Sequence, residues 1–512
     1  MFIKVFAASL QGIEARTVTI EVNTARGIKF FLVGLPDVAV KESHERIMAA
    51  LQNTGYKYPT CQITINMAPA DLRKEGSGYD LPLCIGILAA AGTVMQDKLP
   101  HYMLIGELSL DGSLQPVNGI LPIAIQAWKD GFEGIIVPRQ NANEAAVVNK
   151  LKVFSAETVT EVIEFFNDKA ELVQHSVDTR KEFYNKQQDF DYDFSAVRGQ
   201  ENVKRALEVA AAGGHNLIMV GSPGSGKSMM AKCLPSILPP LSIQESLETT
   251  KIYSVAGKLN KDASLIAIRP FRSPHHTISS VALVGGGTSF QPGEISLAHN
   301  GVLFADELPE FSRNVLEMLR QPLEDRHITI SRVKYTLDIP CSFMFIASMN
   351  PCPCGYYNHP SRECVCSPGQ IQRYMNKISG PLLDRIDIQT EVIPVPFEEL
   401  SKQADSEPSS VIRERVCKAR KRQEERFKED CGIHCNAQMT GKLIRKYAKA
   451  DEKGMQLLKT AMIKFNLSAR AYDRILKVAR TIADLAESET ILGAHIAEAI
   501  SYRNLDRSNW GE

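Results

Sequence analysis

The sequence predicts an α/β protein in three parts, and three observations carry the prediction. A glycine-rich loop, "GSPGSGKS" (Gly221–Ser228), follows the apolar run "NLIMV" and opens onto the helical text "MMAKCLPSIL". A second apolar run, Val302–Ala305, ends in the acids Asp306 and Glu307. From about residue 397 the text becomes helical, charged and nearly free of proline. Short buried runs bounded by turn residues and separated by helical patterns are the sequence pattern of parallel strands joined by crossover helices.

Taken in order, residues 1–168 mix strand-like alternation ("ARTVTIEVN", "CQITINMAP") with helical stretches such as "DLPLCIGILAAAG", which predicts an α+β front domain. Residues 169–193 are polar, charged and poor in aliphatic periodicity, as an exposed linker would be. Residues 194–396 alternate strands and helices around the glycine loop, and 397–512 read as a helical C-terminal domain. The composition is that of an ordinary globular protein: 512 residues, 44% hydrophobic and 23% charged, with 59 basic residues balanced by 59 acidic ones. Net charge therefore points to no partner. There is no run of about 18 apolar residues, and the N-terminus alternates like a strand, so the expectation is a cytoplasmic protein with no membrane partner. Its eleven cysteines should then be reduced, and a cysteine cluster reads as metal-binding before disulfide.

A loop of the form G-x-x-x-x-G-K-[ST] turns successive backbone N–H groups onto a β-phosphate. Here Gly221, Ser222, Pro223, Gly224, Ser225 and Gly226 supply the cradle, Lys227 reaches the β/γ-phosphates, and Ser228 offers a hydroxyl to Mg²⁺. The helix beginning there turns its N-terminus to the phosphates. An aspartate at a strand end, Asp306, suits the Mg²⁺ shell, and the adjacent Glu307 suits deprotonation of an attacking water, which implies hydrolysis in place of transfer. "SFMFIASMNP" is another buried strand; placed between the loop strand and the acidic strand, it would let the Asn350 amide position that water. Arg385 in "GPLLDRIDIQ" and Arg470 in "LSARAYDRILKVAR" suit stabilisation of γ-phosphate charge, and each equally fits a surface ion pair.

The order Lys227, Asp306–Glu307, Asn350, Arg385, Arg470 resembles the AAA+ ATPases, with their Walker A, Walker B, sensor 1, arginine finger and sensor 2. More narrowly, "RPFRSPHHTISSVALVGGG", "PGEISLAHNGVLFADELPEF", "LRQPLEDRHITISR" and "NPCPCG" resemble the magnesium-chelatase-related AAA+ proteins of the ComM/YifB family, over nearly the whole chain. The resemblance implies ATP with Mg²⁺, a P-loop module with a helical lid, and a ring of identical subunits, expected as a homohexamer. It also implies DNA as partner, since ComM members are implicated in branch migration during natural transformation. "RKEGSGYDLPLCIGILAAAG" and "GELSLDGSLQPVNGILPIAIQAWKDGFEGIIVPRQNANEA" resemble a Lon-protease-like domain, which metal-chelatase motor subunits lack. Gly78 stands where the Lon serine would be and "NGILPIAIQA" offers no lysine, so a scaffold or DNA-guiding platform is expected there, not a protease.

Between Arg326 and Ile339, "RHITISRVKYTLDI" reads as two alternating strands with a basic turn, Arg332 and Lys334, where related helicases carry a pore hairpin. Such a tip would grip phosphates without reading bases; an exposed hairpin turn of no function has the same composition. Gly285–Ser296 is a candidate second loop by the same analogy, and the Lys/Arg-rich run Arg413–Lys428 reads as a solvated helix face. Cys352, Cys354, Cys364 and Cys366 form two C-x-C pairs that suit tetrahedral Zn²⁺, although zinc ribbons more often space their pairs by two residues. Cys431 and Cys435 read as plain helix-loop cysteines. Three classes follow: a DNA motor, a metal-chelatase motor subunit with a separate catalytic partner, and a protein-remodelling ATPase.

Overall fold

The alternation at the N-terminus folds into one long hairpin. Phe2–Gln11 pairs antiparallel with Glu14–Ala25 over ten residues, from Phe2 opposite Asn23 to Gln11 opposite Glu14, and Gly12 closes the turn at φ 64°. Period-two placement puts Val5, Ala7, Val18, Ile20 and Val22 in one buried cluster and Ala8 and Ala15 in another on the opposite face. The computed structural model describes residues 1–503 except 188–189, 261–263, 288–289, 333–334, 396–405 and 431.

The hairpin is the middle of an eight-stranded mixed sheet in the order Val173–His175, Lys152–Ala156, Gly134–Pro138, Tyr102–Leu104, Phe2–Gln11, Glu14–Ala25, Gln62–Ala68, Phe30–Val33. The helix Asp80–Ala90 is apolar all round after its first residue and is buried at every position, as a helix without a polar face must be. Its one charge, Asp80, is met by Arg46 Nε at 2.7 Å and the Leu108 amide at 3.2 Å, the pairing that a carboxylate removed from water requires.

The described residues of 169–193, expected as an exposed linker, are mostly exposed, but they also carry regular structure and a buried anchor. Val173–His175 extends the front sheet antiparallel to Lys152–Ala156, and Thr179–Lys186 is a helix. Its Phe183 is buried with Leu121 and Val147 of the front domain and Leu241, Leu265 and Ala267 of the central module. A single anchored aromatic in a polar stretch is what no periodicity count registers. The Gly119 amide also donates to the Ser254 carbonyl at 3.0 Å, and Lys251 pairs with Glu14 at 2.9 Å. The turn at Gly12 reaches the central module too: a Cβ there would lie 3.2 Å from Leu337 Cδ2.

The central sheet is parallel throughout, in the order Phe271–Arg272, Val302–Ala305, Met344–Met349, Leu217–Gly221, Ile388–Val392. Strands buried on both faces explain the continuous apolar runs in the sequence. Leu217, Met219, Phe304 and Ile346 join one apolar cluster; Ile218, Val220, Leu303, Ala305, Phe345 and Ala347 join the other. The first cluster runs on into the C-terminal helices through Ile475, Ala479 and Ile482, so those helices share the sheet's core. Ser409–Arg426 is part of that packing. It buries Val416 and Ala419, while Arg415 pairs with Glu208 at 2.5 Å and Arg426 with Asp484, so the basic run is a docked face as well as a solvated one. Among the described residues, no helix is long and apolar enough to cross a membrane.

Candidate nucleotide site

The glycine loop joins the sheet's Leu217–Gly221 strand to the helix Lys227–Ile237. Its glycines answer to two different demands. Gly224 and Gly226 hold φ of 76° and 88°, left-handed backbone that a side chain disfavours, whereas a Cβ on Gly221 would meet the Val392 carbonyl oxygen at 2.4 Å. Lys227 is 8% exposed, and its ammonium donates to the Gly221 carbonyl at 2.7 Å, the Ser222 carbonyl at 2.8 Å and the Asn350 Oδ1 at 3.4 Å. Burial pulls its pKa down, and the nearby Asp306 and Glu307 carboxylates oppose that. A polyphosphate arriving beside this ammonium would add the anionic partner that burial leaves it short of.

The strand Met344–Met349 does lie between the loop strand and the acidic strand, pairing with both. That order assembles the polar groups. Ser228 Oγ donates to Asp306 Oδ2 at 2.8 Å, so hydroxyl and carboxylate mark one place for a divalent cation's oxygen shell. Ser348 Oγ donates to Asp306 Oδ1 and accepts from the Glu307 amide at 3.2 Å. Glu307 itself sits at φ 55°, a backbone region uncommon for a residue with a side chain, and its side chain is exposed toward solvent. Ser348 was not foreseen; it lies two residues before Asn350 and so on the same side of its strand, a spacing that could have revealed it.

The two arginines lie elsewhere. The Arg385 carbonyl accepts from Asn216 Nδ2 at 2.9 Å, and Asn216 precedes the loop strand at the end opposite Gly221. Arg385 pairs with Glu324 and donates to the Pro381 carbonyl at 2.7 Å, while Arg470 pairs with Asp384 at 3.3 Å. A strand of five residues advancing about 3.3 Å each separates them from their own phosphate loop. Both arginines are therefore together, and neither joins Lys227, Asp306 and Asn350.

The four cysteines do converge. Cys352 Sγ lies 3.3 Å from Cys354 and 3.6 Å from Cys364, Cys354 lies 3.6 Å from Cys364, and all four sulfurs fall within 4.8 Å of one another. Sulfurs at the corners of a zinc tetrahedron are about 3.8 Å apart, while a disulfide needs about 2 Å. Burial pushes the Cys354 thiol up, but hydrogen bonds from the Tyr356 and Val365 backbone and from neighbouring thiols outweigh it and bring it down to about 6, while burial and the neighbouring thiols push Cys364 and Cys366 up, so one thiol of the group gives up its proton first.

The hairpin is present as His327–Arg332 paired with Tyr335–Pro340, with Arg332 opposite Tyr335 at the tip end. Ile328, Ile330 and Ile339 anchor its base in the apolar cluster beneath the sheet. Lys334 lies outside the described residues. In the candidate second loop, Gly285–Gly286 pairs with Gln291–Pro292.

A parallel sheet of this order, with a phosphate loop on its fourth strand and an acidic pair on a strand two places away, defines an ATPase of the AAA+ class. Comparison with known proteins agrees. Residues 193–400 match the family described as "Magnesium chelatase, subunit ChlI", residues 20–141 "Subunit ChlI of Mg-chelatase", and residues 406–503 "Magnesium chelatase, subunit ChlI C-terminal". The chain is 44% identical to competence protein ComM of Haemophilus influenzae over 98% of its length and 97% of the relative's. It is 42% identical to YifB of Escherichia coli over 97% of its length and 96% of the relative's. Magnesium-chelatase subunit ChlI of Guillardia theta is 25% identical over 31% of this chain and 52% of the relative. The chain belongs to the ComM/YifB family of magnesium-chelatase-like AAA+ ATPases. Because the match over 20–141 carries a chelatase-subunit description, the front domain is no argument against a chelatase motor; full-length coverage by the ComM/YifB relatives is.

Proposed function

We propose that this ATPase is a ring-forming DNA motor of the cytoplasm, a branch-migration helicase serving recombination or natural transformation. The observation that carries the reading is the hairpin His327–Pro340, whose isoleucines fix its base in the core while Arg332 stands at its tip. A basic tip of this kind holds phosphates irrespective of sequence. Lys227 holds the β/γ-phosphates of ATP, Ser228 and Asp306 hold Mg²⁺, Glu307 activates water, Asn350 positions it, and Arg385 and Arg470 reach a neighbour's site. Residues 1–168 act as a platform, 194–396 as the motor and 397–512 as the helical lid. The test is Arg332→Ala combined with Lys334→Ala. Basal ATPase activity should persist, stimulation by DNA and junction unwinding should be lost, and the salt dependence of DNA binding should flatten by about one unit for each phosphate contact removed. Unwinding at the parental rate would move the DNA path to Gly285–Ser296. ATPase stimulated by a protein substrate and indifferent to DNA would favour protein remodelling, and activity only with a separate chelatase partner would favour the metal-chelatase reading.

The cysteine cluster is assigned zinc, held by Cys352, Cys354, Cys364 and Cys366 with a structural role. Protein purified without chelator should contain about one zinc per chain, and replacing either C-x-C pair by serine should remove it and lower the melting temperature. Metal-free protein of unchanged thermal stability would overturn the assignment.

A further inference from the structure

The cysteine loop and the phosphate loop are in direct contact. Gly355, between Cys354 and Tyr356, holds φ 86°, and a Cβ there would lie 2.6 Å from Pro223 Cδ in the phosphate loop. Only glycine brings the two backbones this close without a shift. A cleft of about 470 Å³ opens beside the contact, floored by Pro223, Gly224 and Gly226, with Tyr356, His359 and Arg362 on the wall. The three wall residues form one group. The Arg362 guanidinium lies over the Tyr356 ring at 5.1 Å and donates to its hydroxyl at 2.8 Å, and the His359 ring meets Tyr356 edge-on at 5.5 Å. They occupy the span between Cys354 and Cys364, so the same residues that gather the sulfurs fix where these rings stand. The Tyr357 amide ties the span to Cys352 Sγ at 3.3 Å. The cleft is also lined by the apolar Val197, Met229, Met230 and Pro394, with Arg198 and Gln200 beside them.

We propose that the metal-pinned cysteine loop is the base-recognition wall of the nucleotide cleft: Tyr356 and Arg362 stack on the purine of ATP, and the metal holds them in place. A planar ring and a guanidinium in one cleft with apolar side chains are what a flat, weakly polar base takes up. The proposal rests on the ATP and zinc assignments above and gives the metal a role in nucleotide affinity as well as in stability.

The experiment measures binding of ATP, ADP and inorganic tripolyphosphate to the full chain, by calorimetry, for the parent and for Tyr356→Ala, Arg362→Ala and the pair Cys364→Ser with Cys366→Ser. Loss of one stacking partner should weaken ATP and ADP alike by roughly tenfold and leave tripolyphosphate unchanged, since no phosphate contact is removed. The two wall variants should keep their zinc. The cysteine variant should lose zinc and lose base affinity to at least the same degree, with tripolyphosphate again bound. If the cysteine variant does not fold, Tyr356→Phe decides the point: it keeps the ring and should bind ATP within about twofold of the parent, where Tyr356→Ala does not. Unchanged ATP affinity in Tyr356→Ala and Arg362→Ala overturns the proposal, as does parental ATP affinity in a folded, zinc-free chain. Failure of the underlying site looks different: there, Lys227→Ala would retain tripolyphosphate binding.

Discussion

Lys227→Ala should bind no ATP, and Glu307→Gln should bind it and hydrolyse it at least about a hundredfold more slowly. The two variants separate holding the nucleotide from breaking it. Lys227 brings the buried ammonium that lies within hydrogen-bond distance of two loop carbonyls and Asn350, and no other cation in the described site takes that position. Removing it leaves the loop's backbone donors facing a polyphosphate without the charge that neutralises it. Glu307 meets the loop only through its charge beside Lys227. Its backbone is pinned at φ 55° by the Ser348 hydroxyl, which leaves the carboxylate exposed at the strand end, and an amide in its place keeps the shape and loses the base. Single-turnover hydrolysis of radiolabelled ATP, with binding measured in parallel, checks both. Near-parental turnover by Glu307→Gln would remove Glu307 from the role.

Arg385→Ala and Lys227→Ala should each be inactive alone, the first by about a thousandfold or more in turnover, and should recover activity when mixed. The reasoning is geometric. Arg385 and Arg470 stand at the end of the central sheet opposite the phosphate loop, so in a single subunit they cannot reach the phosphates that Lys227 holds. A head-to-tail ring brings one subunit's arginine end to the next subunit's loop. In an equal mixture, about one interface in four joins an intact loop to an intact arginine, so recovery should approach a quarter of parental ATPase activity. Absence of recovery would return Arg385 to its ion pair with Glu324, and full activity from the parent diluted to a monomer would return Arg470 to Asp384 as well.

What could be read from sequence, and what could not, divides along a physical line. The phosphate loop was legible because backbone conformation demands specific residues there: Gly224 and Gly226 stand at positive φ, and no other residue type is comfortable in their place. The parallel sheet was legible because strands buried on both faces must be continuously apolar. The cysteines announced their own convergence, since four thiols at close spacing have few other uses. Long-range assembly was not legible in the same way. Nothing in the text places Arg385 at the far end of the sheet from Lys227; that follows from the pairing of Ile388–Val392 beside Leu217–Gly221. Nor does polar composition reveal that Phe183 is buried between two domains, because a single anchored ring contributes almost nothing to a periodicity. Tyr356 and Arg362 were hidden for a related reason: a loop carries no pattern, and their meeting with Pro223 depends on a glycine, Gly355, that looks like any other turn residue.

The turn at Gly12 puts the front domain against the candidate DNA hairpin. It abuts Leu337 on the returning strand of the candidate DNA hairpin, and behind it run ten paired residues of Phe2–Gln11 and Glu14–Ala25. Inter-strand hydrogen bonds lie across the strands, so a thrust delivered at the turn and along the hairpin strains them together in shear, where peeling would break them one after another. A load on the candidate hairpin that passed through Leu337 would meet a turn rooted in an eight-stranded sheet. Cutting the chain ahead of the central module would leave the nucleotide cleft's own residues in place and take away that abutment, uncoupling the chemical cycle from its recoil.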